Sequence, residues 1–328
     1  MRRLLLPLIL LVLPCAGGCT QAIADRILVP AQSSDQVKML AEERRQVGRR
    51  VGDRLKAIDY KSYDGTRLVA LMVMPEKAPK GIVVCLHGLT ERKEAMVTVA
   101  ESFAEAGYIG VAPDLRGHGL SGGRYTSLGF HEKRDMMALL DTLAGMGCDV
   151  SRTGVLGGSL GAATAIQWAG IDPRVKAVVA VAPFAELRNE LDFMYRQHNV
   201  GPIKAALLES AAQEVGRFRI EDVAPIAAVR TMDTPILLAH GKNDDIIPVI
   251  ESRRLFLAAR GPVVYQEVKA KHMDIREVLG AAFLDKAVDW MDTYIPASPG
   301  QRAKSLPTWI AKLPSRHIAE DVQISAAR

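Results

Sequence analysis

The amino-acid sequence predicts an α/β fold, in which helices cover both faces of a mostly parallel central sheet and a small helical cap is added. Short, apolar, β-branched segments alternate with segments of helical periodicity along most of the chain, which is the pattern of parallel strands joined by crossover helices. One long interval breaks this alternation, and its own helical stretches predict the cap. Apolar residues make up 48% of the 328 residues and charged residues 24%, a balance typical of a globular protein with a large core.

The predicted strands and helices follow one another in order. The stretch YKSYDGTRLVALMVMP predicts two strands joined at Asp64 and Gly65, because Asp-Gly between apolar runs is a strong hairpin signal. Six further strands are predicted at 81–86, 108–112, 153–157, 175–181, 235–240 and 262–268. Helical periodicity marks 91–106, 130–146, 160–170, 248–260 and 275–294, and an earlier helix is indicated at 35–47.

The longest interval without a predicted strand is 184–232, which holds at least two helical stretches. An insertion of this length in a compact fold usually covers something, so we expect a cap at about 185–232. The chain then divides into a signal peptide at 1–18, a charged lead-in at 19–50, the α/β domain with its cap at 51–295, and a loosely packed C-terminal tail at 296–328.

The first residues have the pattern of a bacterial export signal. Two arginines precede an apolar run from Leu4 to Leu13, which is short for a stable transmembrane helix, and small residues follow. These end at Cys19, as in a lipobox, where cleavage would leave Cys19 as a lipid-bearing N-terminus. We therefore expect an exported lipoprotein, anchored in a membrane and facing the periplasm or the cell surface. A simple signal peptide and an uncleaved anchor are the alternatives.

The net charge of +5 comes from the two ends of the chain. Residues 4–295 carry no net charge, so the basic composition gives no support for nucleic-acid binding. Apart from the leader cysteines, the chain contains Cys85 and Cys148. Cys85 lies in an apolar run, as a packed thiol would, and a disulfide between the two after export stays open.

Residues 157–161, Gly-Gly-Ser-Leu-Gly, match the pattern G-x-S-x-G. The motif lies between a predicted strand and a predicted helix, as the sharp turn that exposes a nucleophilic serine requires. Gly157 and Gly161 would let the strand and the helix approach each other without side-chain collisions. The turn would hold the Ser159 hydroxyl at the helix N-terminus, where the helix dipole favours developing negative charge. Ser159 is therefore the candidate nucleophile.

A serine nucleophile needs a base and an acid, and after this motif the acid precedes the histidine in the chain. Only His272 and His317 follow at a plausible distance beyond the last strands, and His317 lies in the tail. His272 comes just after the last predicted strand, so it is the candidate base. The acid should follow the preceding strand, where Asp244 and Asp245 are adjacent. Only one of them can point inward to the imidazole; we choose Asp244 and expect Asp245 to be solvated or to cap the next helix.

An oxyanion at the serine needs backbone N–H donors that are already in place. Leu160 directly follows the nucleophile and is the first predicted donor. The second is Leu89, in the loop HGLT after the strand at 81–86, where Gly88 allows a sharp turn. His87, at the end of that strand, is expected to make structural hydrogen bonds.

The stretch PDLRGHGLSGG at 113–123 predicts a structural loop near the mouth of the site. Its glycines lack the spacing of a phosphate-binding loop, and Asp114 with His118 gives two ligands where a zinc site needs at least three. We expect Asp114, Arg116 and His118 to tie this loop together by hydrogen bonds. No metal or organic cofactor is expected.

Together these motifs resemble those of the α/β-hydrolase superfamily. The matching segments run in the family's order from about residue 55 to 295: HGLT, DLRGHGLSGG, GFHEKRD, GVLGGSLGAATA, VVAVAPFAEL and HGKNDDIIP. The likeness is greatest to bacterial hydrolases labelled serine aminopeptidase-like, monoacylglycerol-lipase-like or dienelactone-hydrolase-like. The resemblance implies a triad of Ser159, Asp244 and His272, an oxyanion hole at Leu89 and Leu160, and a cap over 185–232. One departure is Lys271, since a glycine commonly precedes the histidine.

The expected activity is hydrolysis of carboxylic esters through an acyl-enzyme. Ser159 attacks the carbonyl carbon while His272 takes its proton, and water activated by His272 then releases the acid. The expected partner is a small-molecule ester of short to medium chain length, because the cap sequence mixes apolar and charged residues.

Two other functions stay open. A peptidase could use the same triad, with Glu186 and Glu190 at i,i+4 spacing as an anchor for a peptide terminus, although such a pair more often forms a solvated helix face. A non-catalytic, surface-anchored binding protein on this scaffold would be expected to lack a catalytic residue, whereas every part is present here.

Overall fold

The computed structural model describes residues 19–30 and 34–295. The predicted signal peptide and the predicted tail lie outside this part of the chain, as does the side chain of Cys19, so these expectations stay predictions. Within the two described ranges, no helix has both the length and the apolar character needed to cross a membrane.

Eight strands form one sheet: β1 (Leu55–Lys61), β2 (Arg67–Val73), β3 (Ile82–Leu86), β4 (Ile109–Pro113), β5 (Thr153–Gly158), β6 (Val175–Val181), β7 (Ile236–Gly241) and β8 (Val263–Val268). They lie in the order β1-β2-β4-β3-β5-β6-β7-β8. The pairs β1–β2 and β2–β4 are antiparallel, and all other neighbours are parallel. The predicted α/β class and mostly parallel sheet are confirmed, and β1 and β2 form the predicted hairpin.

The helices of the described residues are α1 (Cys19–Leu28), α2 (Ser34–Val51), α3 (Val97–Glu105), α4 (Glu132–Gly145), α5 (Leu160–Ala169), α6 (Leu187–Gln197), α7 (Pro202–Gly216), α8 (Pro225–Val229), α9 (Val249–Ala258) and α10 (Ile275–Tyr294). Short 3₁₀ turns lie at Gly52–Arg54, Lys93–Met96 and Ile220–Asp222. The turn at Lys93–Met96 occupies the start of the helix predicted at 91–106, and α10 is kinked at Gly280 (φ 56°).

Helices cover both faces of the sheet, as predicted. Side chains of α4, α5, α8 and α9 pack on one face, and those of α2, α3 and α10 pack on the other. Within β3, Ile82, Val84 and Leu86 face the first layer, whereas Val83 and Cys85 face the second, because side chains of a strand alternate between faces. A strand buried on both faces must be apolar throughout, which is why β3 reads as a continuous hydrophobic run.

The helices α6 and α7 form a separate layer above the carboxyl ends of the strands. Their apolar side chains make a third cluster, which includes Leu187 and Leu191 of α6 and also Ala163 of α5 and Ile247 after β7. The short helix α8, at the end of the predicted cap, packs instead against α5 and α9. The cap described below therefore means α6, α7 and the 3₁₀ turn that follows them.

The N-terminal part is more structured than the expected charged lead-in. Helix α1 was not predicted; it packs against α7, and its Leu28 is fully buried in the cap cluster. Helix α2 is longer than the predicted 35–47, and an ion pair from Arg50 Nε to Glu101 Oε1 at 2.7 Å joins it to α3. The two cysteines of the domain, Cys85 and Cys148, are free, so the disulfide left open by the sequence does not form in this structure.

Candidate active site

Ser159 lies on the sharp turn between β5 and α5 and has a backbone conformation of φ 53° and ψ −119°. This region is sparsely populated for residues with a side chain and costs about 1–3 kcal/mol. The neighbouring glycines are required by close backbone contacts. A Cβ on Gly157 would lie 2.3 Å from Gly161 O, and a Cβ on Gly161 would lie 2.3 Å from Leu86 O. The strand, the turn and the helix therefore pack closely enough to present the serine hydroxyl at the sheet edge.

The structure brings the three predicted triad residues together. His272 Nε2 lies 3.0 Å from Ser159 Oγ, and His272 Nδ1 lies 2.7 Å from Asp244 Oδ2. The serine follows β5, the aspartate follows β7 and the histidine follows β8. Because the carboxyl ends of parallel strands meet at one edge of a sheet, residues 113 positions apart in the chain come into contact there.

Asp244 is the buried member of the aspartate pair. Its Oδ1 accepts hydrogen bonds from the backbone N–H groups of Ile246 (2.9 Å) and Ile247 (2.8 Å). Burial by itself would raise the pKa of Asp244, but hydrogen bonds from His240 and His272 outweigh it and hold this pKa well below its ordinary value. The carboxylate is therefore ionised at neutral pH and can orient the imidazole. Asp245 is exposed and lies 3.4 Å from Lys271 Nζ.

His240 also contacts Asp244, a contact that was not predicted from the sequence. Its Nε2 lies 3.2 Å from Asp244 Oδ2 and 2.9 Å from Ile247 O, and its Nδ1 lies 2.6 Å from Ser252 Oγ. Since the carbonyl of Ile247 can only accept, Nε2 carries the hydrogen and Nδ1 accepts from the serine hydroxyl. His240 and His272 thus both contact Oδ2 of Asp244.

The backbone N–H of Leu89, in the HGLT turn, is left without a hydrogen-bond partner while the groups around it are paired. Gly88 O accepts from His87 Nδ1 (2.8 Å) and from Glu91 N (3.2 Å), and Gly88 N donates to Glu91 Oε2 (2.9 Å). Leu89 O accepts from His118 Nε2 at 2.8 Å. Gly88 N, Gly88 O and Leu89 O therefore all have hydrogen-bond partners, whereas the Leu89 N–H has none among the described residues. Because the C=O and N–H of a trans peptide point in opposite directions, the bonds to Gly88 O aim the Leu89 N–H away from His87.

The hydrogen bonds of His87 explain how it orients this turn. Leu115 N donates to His87 Nε2 at 3.0 Å, so the hydrogen of the neutral ring resides on Nδ1 and points at Gly88 O. Burial and the nearby His118 ring lower the pKa of His87 well below its ordinary value. The ring therefore stays neutral, in keeping with the structural role expected from its position at the end of β3.

Leu160 supplies the second N–H group. It is the first residue of α5, where backbone N–H groups have no acceptor within the helix. Its N–H also lacks any other partner in the part of the chain that the structure describes. The unpaired Leu160 amide thus directly follows the serine, and the unpaired Leu89 amide follows Gly88, on which a Cβ would lie 3.6 Å from Ser159 Cβ.

Comparison with known proteins agrees with this architecture. Residues 77–230 match the family described as serine aminopeptidase, S33. The uncharacterized protein YqkD of Bacillus subtilis is 32% identical over 194 residues, which cover 58% of this chain and 63%, less than two thirds, of that protein. A monoacylglycerol lipase of Mycolicibacterium smegmatis is 26% identical over 277 residues, or 70% of this chain and 95% of the lipase. Among solved structures, the Pyrococcus furiosus esterase Pf2001 matches with a TM-score of 0.63 at 21% identity, covering 76% of this chain and 96% of the esterase.

The chain has the α/β-hydrolase fold, as predicted. Its match to the serine aminopeptidase family over residues 77–230 supports the predicted resemblance to the α/β-hydrolase superfamily. The structure explains why Lys271 can stand where a glycine commonly precedes the histidine. Lys271 does not adopt the positive φ that would favour glycine, and its exposed side chain approaches Asp245.

The loop at 113–123 of this α/β-hydrolase is held by the hydrogen bonds expected of it. Asp114 accepts from the backbone N of Lys93 (2.8 Å) and from Lys93 Nζ (2.6 Å), a fully buried pair that the sequence did not suggest. Arg116 Nε donates to the buried Asp135 of α4 at 2.8 Å. His118 of this loop contacts Leu89 O of the HGLT turn, so the loop is attached to the turn that carries the Leu89 amide. In the described ranges, no three His, Cys, Asp or Glu side chains are grouped as metal ligands.

The expectation that Glu186 and Glu190 form a solvated helix face is wrong for Glu190. Its residue exposure is 6%, and its Oε2 has no hydrogen-bond partner among the described residues. Burial, with repulsion from Glu251 and Asp244, raises the pKa of Glu190 to about 8. Glu186 is partly exposed and pairs with Arg254, which also binds Glu251. The cap of this α/β-hydrolase therefore buries a carboxyl group that is protonated at neutral pH.

Glu190→Gln should make the protein more stable than wild type at alkaline pH. The folded state keeps the Glu190 proton up to about pH 8, whereas the unfolded chain releases it near pH 4.5, so stability falls as pH rises through this window. The cost is on the order of 5 kcal/mol above pH 8. We expect the free energy of unfolding of the variant, relative to wild type, to rise by several kcal/mol between pH 5 and pH 9 in denaturant titrations.

Glu186→Gln is the matched control for this measurement. It removes a carboxylate at the start of the same helix and breaks the ion pair with Arg254. Its difference from wild type should be the same at both pH values, because both proteins retain the buried Glu190 carboxyl. Parallel pH dependences of wild type and Glu190→Gln would show that the buried carboxyl does not titrate as described.

Proposed function

We propose that the chain is a serine hydrolase that cleaves carboxylic ester bonds through an acyl-enzyme. The observation that carries this proposal is the continuous hydrogen-bonded line from Ser159 Oγ through His272 to the buried Asp244, with distances of 3.0 and 2.7 Å. The unpaired amides of Leu89 and Leu160 beside the serine provide the second element that acyl transfer needs.

Each group has a defined step in this mechanism. Ser159 Oγ forms a bond to the ester carbonyl carbon while its proton passes to His272 Nε2. The oxyanion binds the amides of Leu89 and Leu160, and the imidazolium is stabilised by Asp244. The C–O bond to the alcohol then breaks, and the alcohol leaves with the proton from His272. Water attacks the acyl-enzyme, giving its proton to His272, and the acid is released as Ser159 regains its hydrogen.

The cap favours an apolar group on the ester. The apolar cluster of the cap contains Leu187 and Leu191 of α6 together with Phe184 and Ile247. The backbone N–H of Ile247 donates a hydrogen bond to Asp244 Oδ1. Apolar side chains at this position favour the binding of substrates whose hydrocarbon chain can be buried against them. Short- to medium-chain esters are therefore the class that we expect to be hydrolysed.

An aminopeptidase is the second candidate, because the family matched by residues 77–230 is described by that activity. Such an enzyme needs a carboxylate to bind the substrate ammonium group. The two glutamates that the sequence offered are poorly suited, since Glu186 is engaged by Arg254 and burial keeps Glu190 protonated at neutral pH. This comparison favours an ester over a peptide substrate.

Two measurements test the proposal. A fluorophosphonate probe should label the purified wild-type protein on Ser159, as located by mass spectrometry, and this would separate an enzyme from a binding protein. Turnover of p-nitrophenyl esters of graded chain length should exceed turnover of aminoacyl-p-nitroanilides by at least about a hundredfold in kcat/KM. Preferred hydrolysis of the anilides would assign the site to a peptidase, and absence of labelling would remove the proposal.

A further inference from the structure

The turn that carries the Leu89 amide is tied to the helix that follows His272. Gly88 N donates to Glu91 Oε2 at 2.9 Å, and Glu91 N donates back to Gly88 O at 3.2 Å. Arg276 Nη2 lies 3.1 Å from the other carboxylate oxygen, Glu91 Oε1. Arg276 is in the first turn of α10, four residues after His272. One ion pair therefore joins the loop of the oxyanion donor to the loop of the base.

The Glu91 carboxylate also lies near the reacting centre. A Cβ on Gly88 would lie 3.3 Å from Glu91 Oε2 and 3.6 Å from Ser159 Cβ, so a single glycine separates the carboxylate from the serine. Negative charge develops on the substrate oxygen in the transition state, and a second negative charge nearby raises its energy. Glu91 thus helps by holding the Gly88 N–H and opposes the oxyanion by its charge.

We propose that Arg276 is a positioning residue that neutralises Glu91, so that this carboxylate holds the oxyanion turn without opposing the charge of the transition state. The inference rests on the proposed function, since it assigns the pair to the oxyanion hole of that site. Arg276 Nη1 also donates to Ala95 O at 3.1 Å. This second bond keeps the guanidinium on the turn, although the Arg276 side chain is 55% exposed.

Three variants test the proposal by their combination. Arg276→Gln can still donate to Ala95 O but lacks the charge, and its kcat on an ester should fall roughly tenfold with KM little changed. Glu91→Gln keeps an oxygen for the Gly88 N–H and should stay within about threefold of wild type. The double variant should recover the kcat of Glu91→Gln, because no carboxylate is left to be neutralised. A merely structural ion pair would instead leave the double variant at least as impaired as Arg276→Gln.

An alkyl boronic acid gives a second readout, because its tetrahedral adduct with serine places an oxygen where the oxyanion forms. Its affinity should fall in Arg276→Gln by the same factor as kcat.

Arg276→Lys keeps the charge and should keep most of kcat. This variant also provides a test if Arg276→Gln folds poorly. The control is Arg50→Gln, which removes a similarly exposed arginine (51%) from its ion pair between α2 and α3 with the buried Glu101, and it should leave kcat unchanged.

The outcomes separate this inference from the proposed function. Wild-type kcat in Arg276→Gln, or no recovery in the double variant, overturns the role of Arg276 while ester hydrolysis by the wild type still stands. A wild-type protein that neither hydrolyses esters nor reacts with a fluorophosphonate overturns the proposed function itself. Recovery in the double variant, with unchanged activity in Arg50→Gln, supports the inference.

Discussion

Ser159→Ala should abolish ester hydrolysis and leave the folded structure intact. The substitution removes one oxygen atom, whose hydrogen bond is to His272, and retains the Cβ and the backbone N–H that donates to Val181 O at 2.8 Å. Loss of a triad nucleophile lowers kcat by about 10⁵–10⁶-fold. Steady-state kinetics with a p-nitrophenyl ester, together with thermal unfolding of both proteins, would measure the two parts of this result.

Ser159→Gly is an informative companion variant. It should be as inactive as Ser159→Ala but more stable by about 1 kcal/mol or more, because glycine adopts a positive φ with little steric cost. A gain in stability together with complete loss of activity would show that the strained turn serves catalysis. Ester hydrolysis retained by a folded Ser159→Ala would mean that another group is the nucleophile.

The triad could be located from the sequence because three separate constraints agree. A parallel sheet brings strand ends to one edge, the chain order fixes which strand precedes each residue, and each candidate side chain directly follows a strand. The choice between Asp244 and Asp245 needed only the argument that one of two adjacent side chains points inward. The structure buries Asp244 beside His272 and leaves Asp245 exposed.

Contacts between distant segments could not be predicted in the same way. Glu91 and Arg276 are 185 residues apart, and neither belongs to a motif that specifies its partner. The buried pair of Lys93 and Asp114 likewise depends on how the turn after β3 packs against the loop after β4. These contacts follow from tertiary packing, which local residue patterns do not determine.

Glu190 differs from these cases, because the sequence did contain a signal for its burial. It lies three residues after Leu187 and one before Leu191, and residues at i, i+3 and i+4 share one face of a helix. A glutamate inside such an apolar stripe is buried when the helix packs. Helix α1 has only ten residues, too few for a stable isolated helix, and its packing on α7 is a tertiary contact that the sequence pattern does not specify.

Asp244→Asn should lower kcat by about 10⁴-fold, because it stabilises the tautomer of His272 that cannot accept the serine proton. The backbone N–H groups of Ile246 and Ile247 both donate to Asp244 Oδ1, so the asparagine must place its carbonyl oxygen there. Its NH₂ group then occupies the position of Oδ2 and donates to His272 Nδ1. The imidazole hydrogen is thereby moved to Nε2, which faces Ser159 Oγ and can no longer accept the serine proton.

Asp245→Asn is the matched control, because it makes the same chemical change one residue away on an exposed side chain. We expect its kcat to stay within about threefold of wild type, while both variants fold and bind substrate with similar KM. Solution NMR of the imidazole nitrogens would show whether the hydrogen resides on Nε2 in Asp244→Asn. Equal loss of kcat in the two variants, or an unchanged tautomer in Asp244→Asn, would show that Asp244 does not act by orienting the imidazole.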